Sequence, residues 1–163
     1  MTSPQDEVLN ILYLDNHLIA VCKPAGVLTQ ADDSGDESLM DQVKAWIKTE
    51  FNKPGNVFLG LIHRLDRNVS GVLLFARTSK SASRLSEQFR DKTTEKFYRA
   101  IVEGQPEQEQ ASLYHHLRKE KTLKSTVFPR PGKDTQHAEL EYKTLKNYAS
   151  THLLEIKLHT GTF

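Results

Sequence analysis

Apolar and polar positions alternate in short blocks along most of the chain. Ile11 to Leu14 and Leu18 to Cys22 read as two short strands split by the turn pair Asp15-Asn16. Lys23-Pro24-Ala25-Gly26 breaks the second strand, and the polar run 30–38 (QADDSGDES) is a loop. Ser38 followed by Asp41 has the form of a capping box. Leu39, Val43, Trp46 and Ile47 then fall at helical spacing, which predicts a helix over 39–51, ended by Asn52-Lys53-Pro54-Gly55-Asn56. Val57 to Ile62 and Val72 to Ala76 are apolar and flank the polar stretch His63 to Ser70, so two buried strands around a polar turn are expected. Thr78 or Ser79 caps a second helix with Ala82, Leu85 and Phe89 on one face. Phe97 to Val102 reads as a strand closed by Gly104-Gln105-Pro106, with 107–112 as loop. Ala138, Leu140 and Tyr142 alternate with charged residues, as do Leu154, Ile156 and Leu158, the period-2 mark of half-buried strands. The sum is seven or eight strands and two helices. Strands that follow one another without intervening helices predict an α+β fold on a mixed, largely antiparallel sheet with a few flanking helices.

Composition narrows this picture. The 163 residues suit one domain, and 37% hydrophobic with 26% charged residues suits a packed globular chain instead of a disordered one. We divide it into a polar tail, 1–9, and a domain, 10–163. The 22 basic residues against 21 acidic give a net charge of +1, which excludes a strongly basic nucleic-acid-coating protein but not a local basic face. Between His115 and Lys133 the balance does turn basic: Arg118, Lys119, Lys121, Lys124, Arg130 and Lys133 stand against Glu120 alone among charged side chains up to that point. No apolar run approaches the roughly 18 residues that cross a bilayer, so no membrane partner is expected. Cys22 alone cannot form an internal disulfide and sits in an apolar strand, so a buried thiol in a reducing, cytoplasmic setting is expected. Met1 to Glu7 has the character of neither a secretory signal nor a transit peptide.

Reactive side chains are densest in His63-Arg64-Leu65-Asp66-Arg67-Asn68-Val69-Ser70-Gly71. Asp66 lies between two arginines beside a predicted turn, and nearby guanidinium groups keep a carboxylate ionised. Such a carboxylate can serve as nucleophile, general base or metal ligand. An Arg–Asp salt-bridge turn without chemistry is the alternative reading. Gly71 permits a tight return and a close approach of substrate. His115-His116, His137 and His159 lack metal-ligand spacing, so no metal site is expected. There is no Gly-rich phosphate loop and no Gly-x-Ser-x-Gly elbow; Ser70 is a turn residue.

HRLDRNVSG resembles the central motif of the RluA-type pseudouridine synthases, HRLD followed by a short turn ending in Ser-Gly. Other segments agree in order. ILYLDNHLIAVCKPAGVLT resembles the family's opening strands and Lys-Pro-Ala-Gly turn. SKSASRLSEQFRDKTTEKFYRAIVEG resembles its following helix and Lys-x-Tyr strand, and LLEIKLHTG the strand into its last motif. The resemblance implies that Asp66 is the catalytic aspartate, needed to detach uracil from C1′ so that the base can turn and rejoin through C5. The carboxylate would either attack the sugar or abstract a C2′ proton. The uridine must be flipped out of its stack, at a cost of a few kcal/mol. The resemblance further implies that Arg64 fills the gap the base leaves. Tyr98 matches the family tyrosine that stacks on uracil and helps remove the C5 proton; a core strand aromatic is the other reading. Phe97, Arg99 and Ile101 share one face of that strand and Lys96, Tyr98, Ala100 and Val102 the other, with both expected to be partly buried. Lys23 is a phosphate contact or a turn lysine, and Lys96 a structural residue or a phosphate contact. His63 and Arg67 complete the expected substrate-binding set. The stretch Arg118 to Lys133 follows RNA backbone or is a solvated hairpin face. The implied partner is RNA, ribosomal or transfer, acted on by a monomer with no cofactor.

The resemblance departs at the end of the chain. The family's last motif reads Thr-Gly-Arg, an aromatic or Thr, then His-Gln-Ile-Arg or similar; here it reads Thr160-Gly161-Thr162-Phe163. The expectation is a catalytic domain lacking its C-terminal part, with 151–158 left as an unpaired sheet edge. The small RNA-binding domain of some relatives is not expected within the residues before Ile11. Two functions are therefore in view: an RNA uridine isomerase, and an inactive RNA-binding or structural fragment of the same fold.

Overall fold

Asp15 makes the first turn. Its carboxylate accepts from the backbone N–H of His17 at 2.7 Å and of Leu18 at 2.6 Å, and its own N–H donates to the Leu18 carbonyl at 3.0 Å. This self-bonded turn is what an Asp-Asn pair offers the backbone. It joins β1 (Ile11–Leu14) to β2 (Leu18–Lys23) in an antiparallel pair. The computed structural model describes residues 9–120 and 124–161. They fall into two compact units that divide between Asp91 and Lys92.

In the first unit β2 pairs along its whole length with β4 (Gly71–Ala76), from Leu18 opposite Ala76 to Lys23 opposite Gly71. β3 (Gly60–Leu61) completes a four-stranded antiparallel sheet of order β1-β2-β4-β3. Ile19, Val21, Leu73 and Phe75 are fully buried, each adding roughly 1.5–3 kcal/mol of transfer free energy. The strand expected over 57–62 shrinks to two residues. Leu59 is buried outside any ladder, so its apolar character reports burial and not strand pairing. Cys22 is only half-buried, against the expected buried thiol.

Helix α1 (Leu39–Glu50) carries the expected cap: Ser38 accepts from the Asp41 N–H, and the Asp41 side chain accepts from the Ser38 N–H. Leu39, Val43 and Ile47 are its buried stripe. Helix α2 (Ser79–Arg90) is capped by Thr78 and buries no residue completely. It passes close to β3: a Cβ at Gly60 would stand 2.9 Å from the Ala82 Cβ, so only glycine fits that crossing.

The second unit is a five-stranded antiparallel sheet of order β5-β9-β8-β6-β7. Its strands are β5 (Lys96–Glu103), β6 (Gln110–Lys119), β7 (Ser125–Phe128), β8 (Gln136–Asn147) and β9 (Thr151–Leu158). Three expectations change here. The loop expected over 107–112 gives way at Gln110 to β6, a ten-residue strand. Residues 151–158 are no open edge, because β9 bonds β5 on one side and β8 on the other. The two faces of β5 also differ: Phe97 and Ile101 are 56% and 70% exposed, whereas Lys96, Tyr98, Ala100 and Val102 are half-buried. Two helices and nine strands among the described residues, with every strand pairing antiparallel, make the α+β class expected from the sequence.

Candidate active site

The motif His63 to Gly71 forms the return from β3 to β4, and it is held residue by residue. His63 faces the scaffold: its Nε2 accepts from the Leu74 N–H at 3.1 Å, and its ring stacks on Phe89 with centroids 5.0 Å apart. An accepting Nε2 fixes the neutral tautomer with the proton on Nδ1. Leu65 points inward and is buried. Its N–H donates to Thr29 Oγ1 at 3.2 Å, and Thr29 Oγ1 donates back to its carbonyl at 2.7 Å. Past Asp66, the Arg67 carbonyl accepts from the Gly26 N–H at 2.7 Å and from Lys23 Nζ at 3.1 Å. The Val69 N–H closes a turn onto the Asp66 carbonyl at 3.0 Å. Gly71 leaves the turn at φ +148°, a backbone state that L side chains rarely adopt.

The result is an exposed carboxylate on an anchored backbone. Both neighbours of Asp66 are bonded to the loop after β2, which anchors its backbone while the residue itself is exposed. The arginines do not do what their spacing predicts. Among the described residues neither pairs with Asp66. Arg67 donates from Nε to the Gly26 carbonyl at 2.9 Å and forms an ion pair with Asp36 at 2.8 Å. Arg64 is exposed, with no hydrogen bond or ion pair among the described residues. The expected Arg–Asp66 salt bridge is therefore not formed; the ion pair of the turn ties Arg67 to Asp36 of the 30–38 loop.

Lys23 is fully buried. Its Nζ donates to the carbonyls of Pro24 at 3.0 Å, Val27 at 2.6 Å and Arg67 at 3.1 Å, which uses all three ammonium protons. Burial lowers its pKa from the ordinary lysine value, and the Asp66 charge opposes that shift. With three carbonyl acceptors and no exposed surface, Lys23 has the geometry of the turn-lysine reading.

The second unit holds Lys96 and Tyr98. Tyr98 stands opposite Ile156 on β9, on the half-buried face it shares with Lys96 and Ala100. In the basic stretch, Arg118 is engaged locally: it donates from Nε to Glu120 at 3.0 Å and lies 4.8 Å from the centre of the Phe128 ring. Lys119, Lys124, Arg130 and Lys133 are exposed. Lys121 lies outside the described residues, as do Thr162 and Phe163 of the last motif. Thr160 bonds to β8, accepting from the Glu139 N–H at 3.0 Å. No cluster of His, Cys, Asp and Glu among the described residues is arranged to hold a metal ion.

Sequence reasoning missed Thr29 and Asp36. Thr29 closes the family-like opening segment 11–29, but its partner Leu65 lies 36 residues further on, and no local pattern marks that pair. Asp36 was visible only as one acidic residue among several in the 30–38 loop.

Three comparisons place this geometry among known proteins. The family model described as RNA pseudouridylate synthase matches residues 17–163. A ribosomal large subunit pseudouridine synthase D of Borreliella burgdorferi is 33% identical over 97% of the chain and 49% of its own length. A ribosomal large subunit pseudouridine synthase C of Escherichia coli (strain K12) is 30% identical over 93% of the chain and 46% of its own length. The chain thus spans about half the length of the curated relatives it matches. The solved structure titled human RNA pseudouridylate synthase domain containing 4 superposes with a TM-score of 0.78 at 24% identity, covering 94% of this chain and 60% of that one. The human domain containing 1 gives 0.77 at 20% identity, over 99% and 64%. At those identities the structures speak for the fold. With the ordered motifs around Asp66 and a family match over most of its length, the chain belongs to the RNA pseudouridylate synthase family, in its RluA-type branch.

Proposed function

We propose that residues 10–163 carry the uridine-isomerising chemistry of an RNA pseudouridine synthase. The observation that supports this most is the family match across 17–163 with Asp66 exposed on a backbone fixed from both sides. Asp66 acts as the carboxylate that frees uracil from C1′, by attack on the sugar or by removal of a C2′ proton. Either route needs an ionised oxygen beside the ribose, and an exposed carboxylate on an anchored turn meets that need with little reorganisation. Arg64 is the exposed cation available to stack into the space of a flipped base and to reach phosphate. Tyr98 is the stacking and proton-handling residue. The substrate is RNA; the relatives named for the large ribosomal subunit make large-subunit rRNA the first choice over tRNA. Exposed Lys119, Lys124, Arg130 and Lys133 supply backbone contacts, which makes binding weaken with salt.

The test is pseudouridine formation by the purified chain on large-subunit rRNA and tRNA transcripts, read by mass spectrometry of nucleosides. Asp66→Ala is expected to fall below about one-thousandth of the parent rate. Equal product from both chains overturns the role of Asp66. No product from the parent chain at high concentration, with RNA binding intact, favours the non-enzymatic fragment instead.

A further inference from the structure

We infer that Thr29 is a positioning residue for Asp66. The inference rests on the proposed role of Asp66 and adds a group that neither the sequence motifs nor the family match assigns. One hydroxyl closes both backbone groups of Leu65, the residue directly before the carboxylate: it donates to the carbonyl at 2.7 Å and accepts from the N–H at 3.2 Å. Both bonds are buried, and Thr29 is only 5% exposed, so water does not substitute for the hydroxyl. Thr29 is itself held. Its carbonyl accepts from the Met40 N–H at 3.2 Å in the first turn of α1, and the neighbouring Leu28 carbonyl accepts from the Leu39 N–H at 2.8 Å. The capped start of α1 therefore fixes the 28–29 segment, and the 28–29 segment fixes Leu65.

The clamp works on one side of the carboxylate only. On the other side the Arg67 carbonyl is held by Gly26 and Lys23, independently of Thr29. Loss of the hydroxyl leaves that second anchor in place. The expected result is a turn that still forms, with Asp66 free to swing about one fixed end. A displacement of about 1 Å at a reacting group costs around 100-fold in rate. Binding contacts made by exposed cations elsewhere are unaffected, so the loss falls on kcat.

The experiment compares the parent chain with Thr29→Val, which keeps the shape and removes the hydroxyl, and Thr29→Ser, which keeps the hydroxyl. Each is assayed for pseudouridine formation, for amide hydrogen exchange across the segment holding Leu65 and Asp66, and for the urea unfolding midpoint. Thr29→Val is expected to lower kcat by about 10- to 100-fold with KM unchanged and to speed exchange at Leu65. Thr29→Ser is expected to restore both. An unchanged kcat in Thr29→Val overturns the inference. So does an equal kcat loss in Thr29→Val and Thr29→Ser, because the hydroxyl is then not what matters. If Thr29→Val does not fold, Thr29→Cys, with its weaker donor, carries the same comparison. If the parent chain itself makes no pseudouridine, the function proposed above fails. The exchange arm then decides the clamp separately: faster exchange at Leu65 supports it and unchanged exchange overturns it.

Discussion

A fully buried lysine is unusual, and Lys23 shows what makes one tolerable: three carbonyl oxygens take its three protons. Two of those carbonyls belong to its own turn and the third to Arg67, 44 residues away. Lys23 therefore joins the Lys-Pro-Ala-Gly turn to the segment bearing Asp66. Replacing it with methionine keeps most of the volume and takes the ammonium donor from the Pro24 and Val27 carbonyls, while the Arg67 carbonyl keeps the Gly26 N–H. Lys23→Met is expected to destabilise the chain by about 2–4 kcal/mol, measured as a lowered urea midpoint at unchanged slope. A chain as stable as the parent would mean that water or a rearranged turn replaces the ammonium. At this scale the sequence grouped the reactive side chains of the motif and assigned some of them the wrong bonds. His63, Arg64, Asp66 and Arg67 stand together in one turn because they are adjacent in the chain. Arg67 pairs with Asp36 and not with Asp66 because a salt bridge follows distance in space, and the fold brings the 30–38 loop to it. Thr29 and Lys23 act through bonds to residues 36 and 44 positions away, and nothing local encodes such a pair.

Among the elements, those with a local cause were legible. The helix expected over 39–51 is Leu39–Glu50, because a capping box and a periodic apolar stripe are both local signals. The turn at Asp15 and the cap at Thr78 likewise form from residues within a few positions of one another. β6 was missed because its first half, Gln110 to Tyr114, has no clean alternation and is mostly exposed. Its strand character comes from pairing with β8 on one side and β7 on the other, which is a property of the sheet. β9 itself was legible from its alternation, but its place inside the sheet was not, because beside the preceding β8 it pairs with β5, some fifty residues earlier in the chain. The cap on α1 gives a direct measurement. Ser38 is fully buried, accepts from the Asp41 N–H at 3.3 Å and donates to the Asp41 carboxylate at 2.6 Å. Ser38→Ala is expected to cost about 1–2 kcal/mol in urea unfolding, at the upper end of N-cap substitutions because the site excludes water. Since α1 also holds the 28–29 segment, the same variant is expected to loosen Leu65, read as faster amide exchange there than in a variant of an exposed α1 residue such as Lys48→Ala.

At the scale of the whole molecule, acid acts on both units in the same direction. In the first unit, Asp15 is held below the usual carboxylate pKa by the N–H groups of His17 and Leu18, and Asp32 by the Ser34 hydroxyl and N–H. In the second, Glu95 is lowered by its bond from Lys157, and Glu120 by its bond from Arg118 and then by the Thr126 hydroxyl. A carboxyl whose pKa is lower folded than unfolded binds fewer protons when folded. Its contribution is present in full above the unfolded value, near pH 4, and disappears as the pH falls through the folded value. The near-neutral net charge means that no large self-repulsion of the folded chain masks this at pH 7. Stability is therefore expected to hold level from pH 7 to about pH 5 and to decline steadily below pH 4, as read from urea midpoints at each pH. The decline is expected to start in the acid range for each unit separately, because each contains two such groups among the described residues. Asp15→Asn keeps an acceptor oxygen for the turn but removes the titration, so it is expected to flatten the first unit's acid limb while leaving the second unit's unchanged. Glu95→Gln is expected to do the converse. Hydrogen exchange resolves the two units within one chain, and an acid limb that neither substitution alters would place the titrating groups elsewhere.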